Sequence, residues 1–141
     1  MKEIFFDSTE FKNSDAYSDF MNENKGSGIL KVQAYTANQA FPLEGVIIEV
    51  YEDIGDQRVI FFRGVTDNSG IIDNIILPTK KSKEDILSSD DILYTRYKIN
   101  ATYPNSNIDK TYEVGIFDDI KIIQPIRIPI TSFIEGDNYS N

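Results

Sequence analysis

The sequence predicts an all-β fold: an antiparallel, seven-stranded β-sandwich carrying a short N-terminal helical extension. Three observations predict it. From residue 28 onward the apolar residues recur with a period of two, the spacing of half-buried strands. Turn-forming Gly, Pro, Asn and Asp interrupt this pattern at short intervals. The 141 residues include eight Tyr and nine Phe, and with abundant Ile and Val that composition favours strands. The length suits one domain with a real core.

Residues 1–27 form a polar extension. Asp7 and Glu10 have the spacing of a capping box, and Phe11, Tyr17, Phe20 and Met21 can share one helical face. A helix over 9–23 follows, ended by Gly26 and Gly28. The sandwich occupies 28–131 and a tail 132–141.

Within the sandwich, 29–37 alternates Leu30, Val32 and Ala34 against Lys31, Gln33 and Tyr35. After a Pro/Gly loop (38–45), 46–54 places Val46, Ile48 and Val50 on one face and Ile47, Glu49 and Tyr51 on the other. The strand at 58–66 is apolar on both faces, with a bulge or close approach at Gly64. Strand 71–78 precedes a charged loop through Asp91. Strand 93–103 alternates Tyr94, Arg96 and Lys98 with Tyr97, Ile99 and Ala101, and 111–117 follows. In 121–130, Pro125 and Pro129 share a parity, so both lack an N–H on the same side. That makes this strand an edge, with Ile122, Ile126, Ile128 and Ile130 facing the core.

The polar stretch Asp67-Asn68-Ser69-Gly70 is read as a turn. Asp and Asn bond nearby amides, and Gly70 supplies a positive φ without steric cost. A calcium loop needs more converging oxygens than one Asp, one Asn and one Ser provide. Asp118–Asp119, Asp90–Asp91 and Glu84–Asp85 are adjacent carboxylates read as solvated turns. Lys80, Lys81 and Lys83 are read as a solvated loop. The glycosylation patterns at Asn100 and Asn138 are set aside, because no secretion signal accompanies them.

Residues 28–79 resemble the carboxypeptidase regulatory-like, or transthyretin-like (prealbumin-like), sandwiches. Pro42, Gly45, Thr66, Asp67, Gly70, Leu77 and Pro78 carry that resemblance. The segment "TYEVGIFDDIKIIQPIRIPI" (111–130) resembles the end of the N-terminal pro-domain of clostridial spore cortex-lytic enzymes. The resemblance covers roughly residues 26–131 and implies a prealbumin-like sandwich, without the peptidoglycan-binding and catalytic parts of those enzymes. Hydroxyisourate hydrolases and iron-dependent ring-cleaving dioxygenases, on similar sandwiches, depend on histidines.

The chain has no His and no Cys. That removes Ser-His and Cys-His nucleophile pairs, His- and thiolate-bound zinc and disulfides. The expectation is a chain that is not an enzyme, with no catalytic, cofactor-binding or metal-binding residues and no cofactor. A net charge of −9 argues against nucleic acid as partner. No apolar run approaches a membrane span, and Ile4–Phe6 is too short for a signal-peptide core. The expected function is an interaction or structural module that docks to another protein or to copies of itself. Such a chain would be made in the cytoplasm, in a spore or a larger bacterial assembly that is released. A carbohydrate (peptidoglycan) binder is the alternative, with Tyr35, Tyr51, Tyr94 and Tyr97 as the aromatics to inspect. The large apolar residues of 1–27 need a surface, and a neighbouring copy or another protein is favoured over the chain's own sandwich.

Overall fold

A computed structural model of the chain describes residues 1–37, 40–82 and 93–129. Lys83, Glu84–Asp85, Asp90–Asp91, Ile130 and the tail 132–141 lie outside the described residues. The elements in order are β1 (Lys2–Phe5), α1 (Thr9–Lys12), α2 (Asp15–Glu23), β2 (Gly26–Thr36), β3 (Ile47–Ile54), β4 (Gln57–Val65), β5 (Ile71–Thr79), β6 (Thr95–Thr102), β7 (Asp109–Ile116) and β8 (Lys121–Ile128). They form a five-stranded sheet, β1-β4-β3-β6-β7, and a three-stranded sheet, β5-β2-β8. Leu30, Val32, Ala34, Ile48, Val50, Leu77, Tyr97, Ile99, Ile116, Ile126 and Ile128 fill the core between them. The all-β sandwich and the predicted inward parities of β2, β3, β6 and β8 are therefore observed.

Two features depart from the expected pattern. Among the described residues the strands number eight, and two pairs are parallel: β1 with β4 and β2 with β8. The chain crosses between sheets after β7, so β8 lies beside β2 and not beside β7. β8 is an edge, as its prolines require. The carbonyls of Ile120 and Ile128 accept from Ile29 and Ala37, so the even-numbered residues point their backbone groups at β2. Pro125 and Pro129 then turn their missing donors to the open side, where the Arg127 carbonyl accepts from Lys110 Nζ at 3.2 Å.

The bulge in the β3–β4 pair lies at Phe61, because Val50 faces Phe62 and Tyr51 faces Ile60. At Gly64 there is a close approach instead: a Cβ there would lie 2.6 Å from the Phe62 ring.

The N-terminal segment is part of the sandwich. It forms two helices, each capped by a serine: Ser8 accepts from the N–H of Phe11, and Ser14 from that of Tyr17. Asp7 is not the cap, because Ser8 is one residue nearer the first turn. Ile4, Phe6, Phe11, Tyr17 and Phe20 pack on their own chain, where the sequence favours intermolecular docking, while Phe5 stays exposed. Phe11 is fully buried with Ile4 and Val59. Phe6 stacks on Phe61 with centroids 4.5 Å apart, and Phe61 meets core Tyr97 edge-on at 4.9 Å. The physical reason is β4, whose apolar side chains and free edge offer both a surface and a backbone ladder to the segment.

Candidate functional site

The motif at 66–70 builds a junction. Asp67 Oδ1 accepts from the N–H groups of Ser69 (2.9 Å) and Ile71 (3.0 Å). Gly70 has φ +74°, and its carbonyl accepts from Ala34 N–H at 2.7 Å. Thr66, buried, donates its hydroxyl to the Leu43 carbonyl at 2.8 Å and accepts from Val46 N–H at 3.0 Å. The Leu43 N–H in turn donates to the Ala34 carbonyl at 3.1 Å. The turn therefore ties the 41–45 loop to β2, and the turn reading holds. Among the described residues no three carboxylates gather as a metal site would require.

The two members of Asp118–Asp119 part company. Asp118 is buried, and its two oxygens accept from the N–H groups of Ser27 and Ser82, each at 3.1 Å. The Ser82 N–H first, then that of Ser27, holds this carboxyl below the usual carboxylate range against the opposing cost of burial. The clasp explains Gly26, where a Cβ would lie 2.5 Å from Asp118 Oδ1. Asp119 turns away at φ +60° and is exposed.

The four tyrosines do not assemble into one platform. Tyr97 is wholly buried, its phenol donates to the Pro78 carbonyl, and burial pushes that phenol up. Tyr51 is buried beneath the Arg58 guanidinium, 4.4 Å from its ring centroid. Tyr35 is half-buried on β2 of the small sheet. Tyr94 is exposed beside β6 of the large sheet, where Arg96 donates to its hydroxyl at 3.2 Å.

Two surface features stand out from the rest. The first is the outer face of β5-β2-β8. Register sets Ile76 opposite Ile29, and Ile123 opposite Lys31. Ile76 is 68% exposed and Ile123 54%. Lys31 and Lys121 flank them, Asp73 is bound to Lys121 at 2.9 Å, and Arg127 stands farther along β8 opposite Tyr35. That lysine, with the Asn74 N–H, holds the Asp73 carboxyl below its ordinary value. The second is a groove of about 580 Å³ between α2 and the β3–β4 turn, with Ala16, Phe20 and Ile54 on its floor and Asp19, Glu23, Glu52 and Asp53 on its rim. Lys98 lies 3.9 Å from Glu52 and 3.6 Å from Asp53. Asp19 and Glu23 make no ion pair among the described residues. Sequence parity placed Ile123 outward, by setting Ile122, Ile126 and Ile128 inward, and assigned no face to Ile29 or Ile76; the groove joins residues far apart in sequence and left no local signal.

No protein-family model matches the chain, and no curated protein matches it. Solved structures do. A 5-hydroxyisourate hydrolase from Klebsiella pneumoniae is similar at 15% identity and TM-score 0.41, over 70% of this chain and 90% of that one. Transthyretin from Sparus aurata is similar at 15% identity and TM-score 0.36, over 67% and 86%. An (S)-allantoin synthase is similar at 12% identity and TM-score 0.45, over 75% of this chain and 43% of that one. These likenesses accord with the transthyretin-like part of the sequence resemblance. They correct the expectation that the chain is not an enzyme, because two of these structures are enzymes. Likenesses of this size assign no activity to the chain.

Proposed function

We propose that the chain is a protein-docking module that engages its partner through the outer face of β5-β2-β8. The observation that supports this reading is the exposure of Ile76 and Ile123 on one face with Ile29 between them. An apolar cluster left in water across three strands, rimmed by cations, has the composition of a contact surface. The face is better suited than the neighbouring edge, because Pro125, Pro129 and the occupied Arg127 carbonyl blunt β8 against an added strand. A spore or another bacterial assembly is the setting, on the resemblance carried by residues 111–130.

A photo-crosslinking residue at position 123 or 76 tests the reading in the source cells, with position 18 on exposed α2 as control. Discrete protein adducts should arise from 123 and 76 and not from 18. The absence of adducts at 123 and 76, or the same adducts at all three positions, would remove the face from consideration.

A further inference from the structure

We infer that the partner of this face is a second copy of the chain, bound head to tail through the acidic groove at α2. The inference rests on the docking reading above and names its occupant. Its ground is charge. In a chain of net charge −9, the small sheet's outer face carries Lys31 and Lys121 beside Ile123 and Arg127 farther along β8, with the Asp73 carboxylate paired to Lys121. The groove has the opposite character: Asp19 and Glu23 without cationic partners among the described residues, beside Glu52 and Asp53, whose counter-charges are Lys98 and, for Asp53, also Arg58. Both surfaces combine an apolar centre with a charged rim, and the rims carry opposite signs. The two lie on different parts of the molecule, face on the small sheet and groove beyond the β3–β4 turn. Joining them makes a heterologous contact that leaves one face and one groove free, so the association continues into open chains.

Whole-chain repulsion opposes this at a distance, but physiological salt screens it beyond about 8 Å, and the local attraction acts at contact. Size sets the strength. Three strands about 4.8 Å apart, with an eight-residue β8 rising about 3.3 Å per residue, present roughly 370 Å² per copy. That is about half of the ~800 Å² per partner of a standard interface. The association is therefore weak and reversible, visible at high protein concentration.

Two neutral variants test it. One weakens the face (Ile76→Asn, Lys31→Gln, Lys121→Gln), and the other the groove (Asp19→Asn, Glu23→Gln). All five positions lie at the surface, and thermal melts confirm that both variants fold. Sedimentation velocity over a concentration series should show the wild-type chain forming dimers and larger species. Each variant alone should need at least tenfold higher concentration to associate. An equimolar mixture should recover dimers and stop there, because the intact face of the groove variant meets the intact groove of the face variant. A groove variant that associates like wild type, or a mixture that forms no heterodimer, would overturn the head-to-tail contact. A wild-type chain that stays monomeric throughout would overturn self-docking. In that event an adduct from position 123 to a different protein would still uphold the docking face, so the two readings fail separately.

Discussion

Replacing Gly70 by Ala should cost far more than replacing Gly55 by Ala, although both glycines hold a positive φ. Gly55 has φ +64° and nothing within 4 Å of a built Cβ. Its substitution bears only the left-handed conformation of a non-glycine residue, about 1–2 kcal/mol. Gly70 has φ +74°, and its Cβ would lie 2.2 Å from the Ala34 carbonyl oxygen and 3.0 Å from the Leu43 nitrogen. Backbone on both sides must move. That movement endangers the Ala34-to-Gly70 and Leu43-to-Ala34 hydrogen bonds, worth about 1 kcal/mol each. The sum is about 3–4 kcal/mol. At about 3 °C per kcal/mol for a domain of this size, the melting temperature should fall by roughly 10 °C. For Gly55→Ala the fall should be roughly 3–6 °C by the same conversion. Circular dichroism melts of the two variants and the parent decide the matter. Equal shifts would refute the close packing of the turn on β2, leaving only the conformational cost that both positions share.

Phe11→Ala should destabilise by about 3–5 kcal/mol in a denaturant titration, since the side chain is fully buried. Deleting residues 1–25 should give a chain that aggregates or melts early, because Val59, Phe61 and the β4 edge lose their cover; an undiminished melting temperature would refute this. Tyr97→Phe should cost about 1–3 kcal/mol in the same titration by stranding the Pro78 carbonyl. Asp118, with a carboxyl pKa lowered from 3.8 in the folded state, contributes stability that is present above the unfolded value. That stability is lost as pH falls through the lower folded one. Asp118→Asn should therefore flatten the acid side of a plot of melting temperature against pH, and an unchanged slope would remove the carboxylate from the clasp.

Where each strand's neighbour could be inferred from parity, the sequence was informative. Alternation fixed the inward residues of β2, β3, β6 and β8, and two prolines of one parity marked β8 as an edge. The turn chemistry of Asp67 and Gly70 was legible too, because its interactions are made within a few residues. What escaped depended on distant partners. β1 has only Lys2–Phe5 and becomes a strand because β4 lends it a ladder. Phe61 is the extra residue in β4, and a bulge of one residue has no local signature when the residues on both sides are apolar. The serine caps were missed because Asp7-to-Glu10 matched the capping-box spacing, while the caps of two shorter helices, Ser8 and Ser14, stand one and seven residues after Asp7.

The same limit explains why the exposed face of β5-β2-β8 needed the structure. β4 and β5 look alike in sequence, each apolar at both parities. In β4 the central residues are covered on both faces, with Val65 at its end exposed: Val59 and Phe61 lie under the N-terminal segment, and Ile60 lies buried opposite Tyr51. In β5, Ile75 and Leu77 are buried while Ile76 stands in water. Alternation reports which way a side chain points. Whether something lies over it is decided by chain returning from elsewhere, and the N-terminal segment can return only once. It closes the large sheet beyond the reach of the three-stranded one, where Phe6, Phe11, Tyr17 and Phe20 would otherwise have no partner. Having done so, it cannot cover Ile76 and Ile123 on the far side of the small sheet. Among the described residues the apolar surplus of that face therefore stays exposed, and under the docking proposed above its lysines would favour an acidic surface opposite.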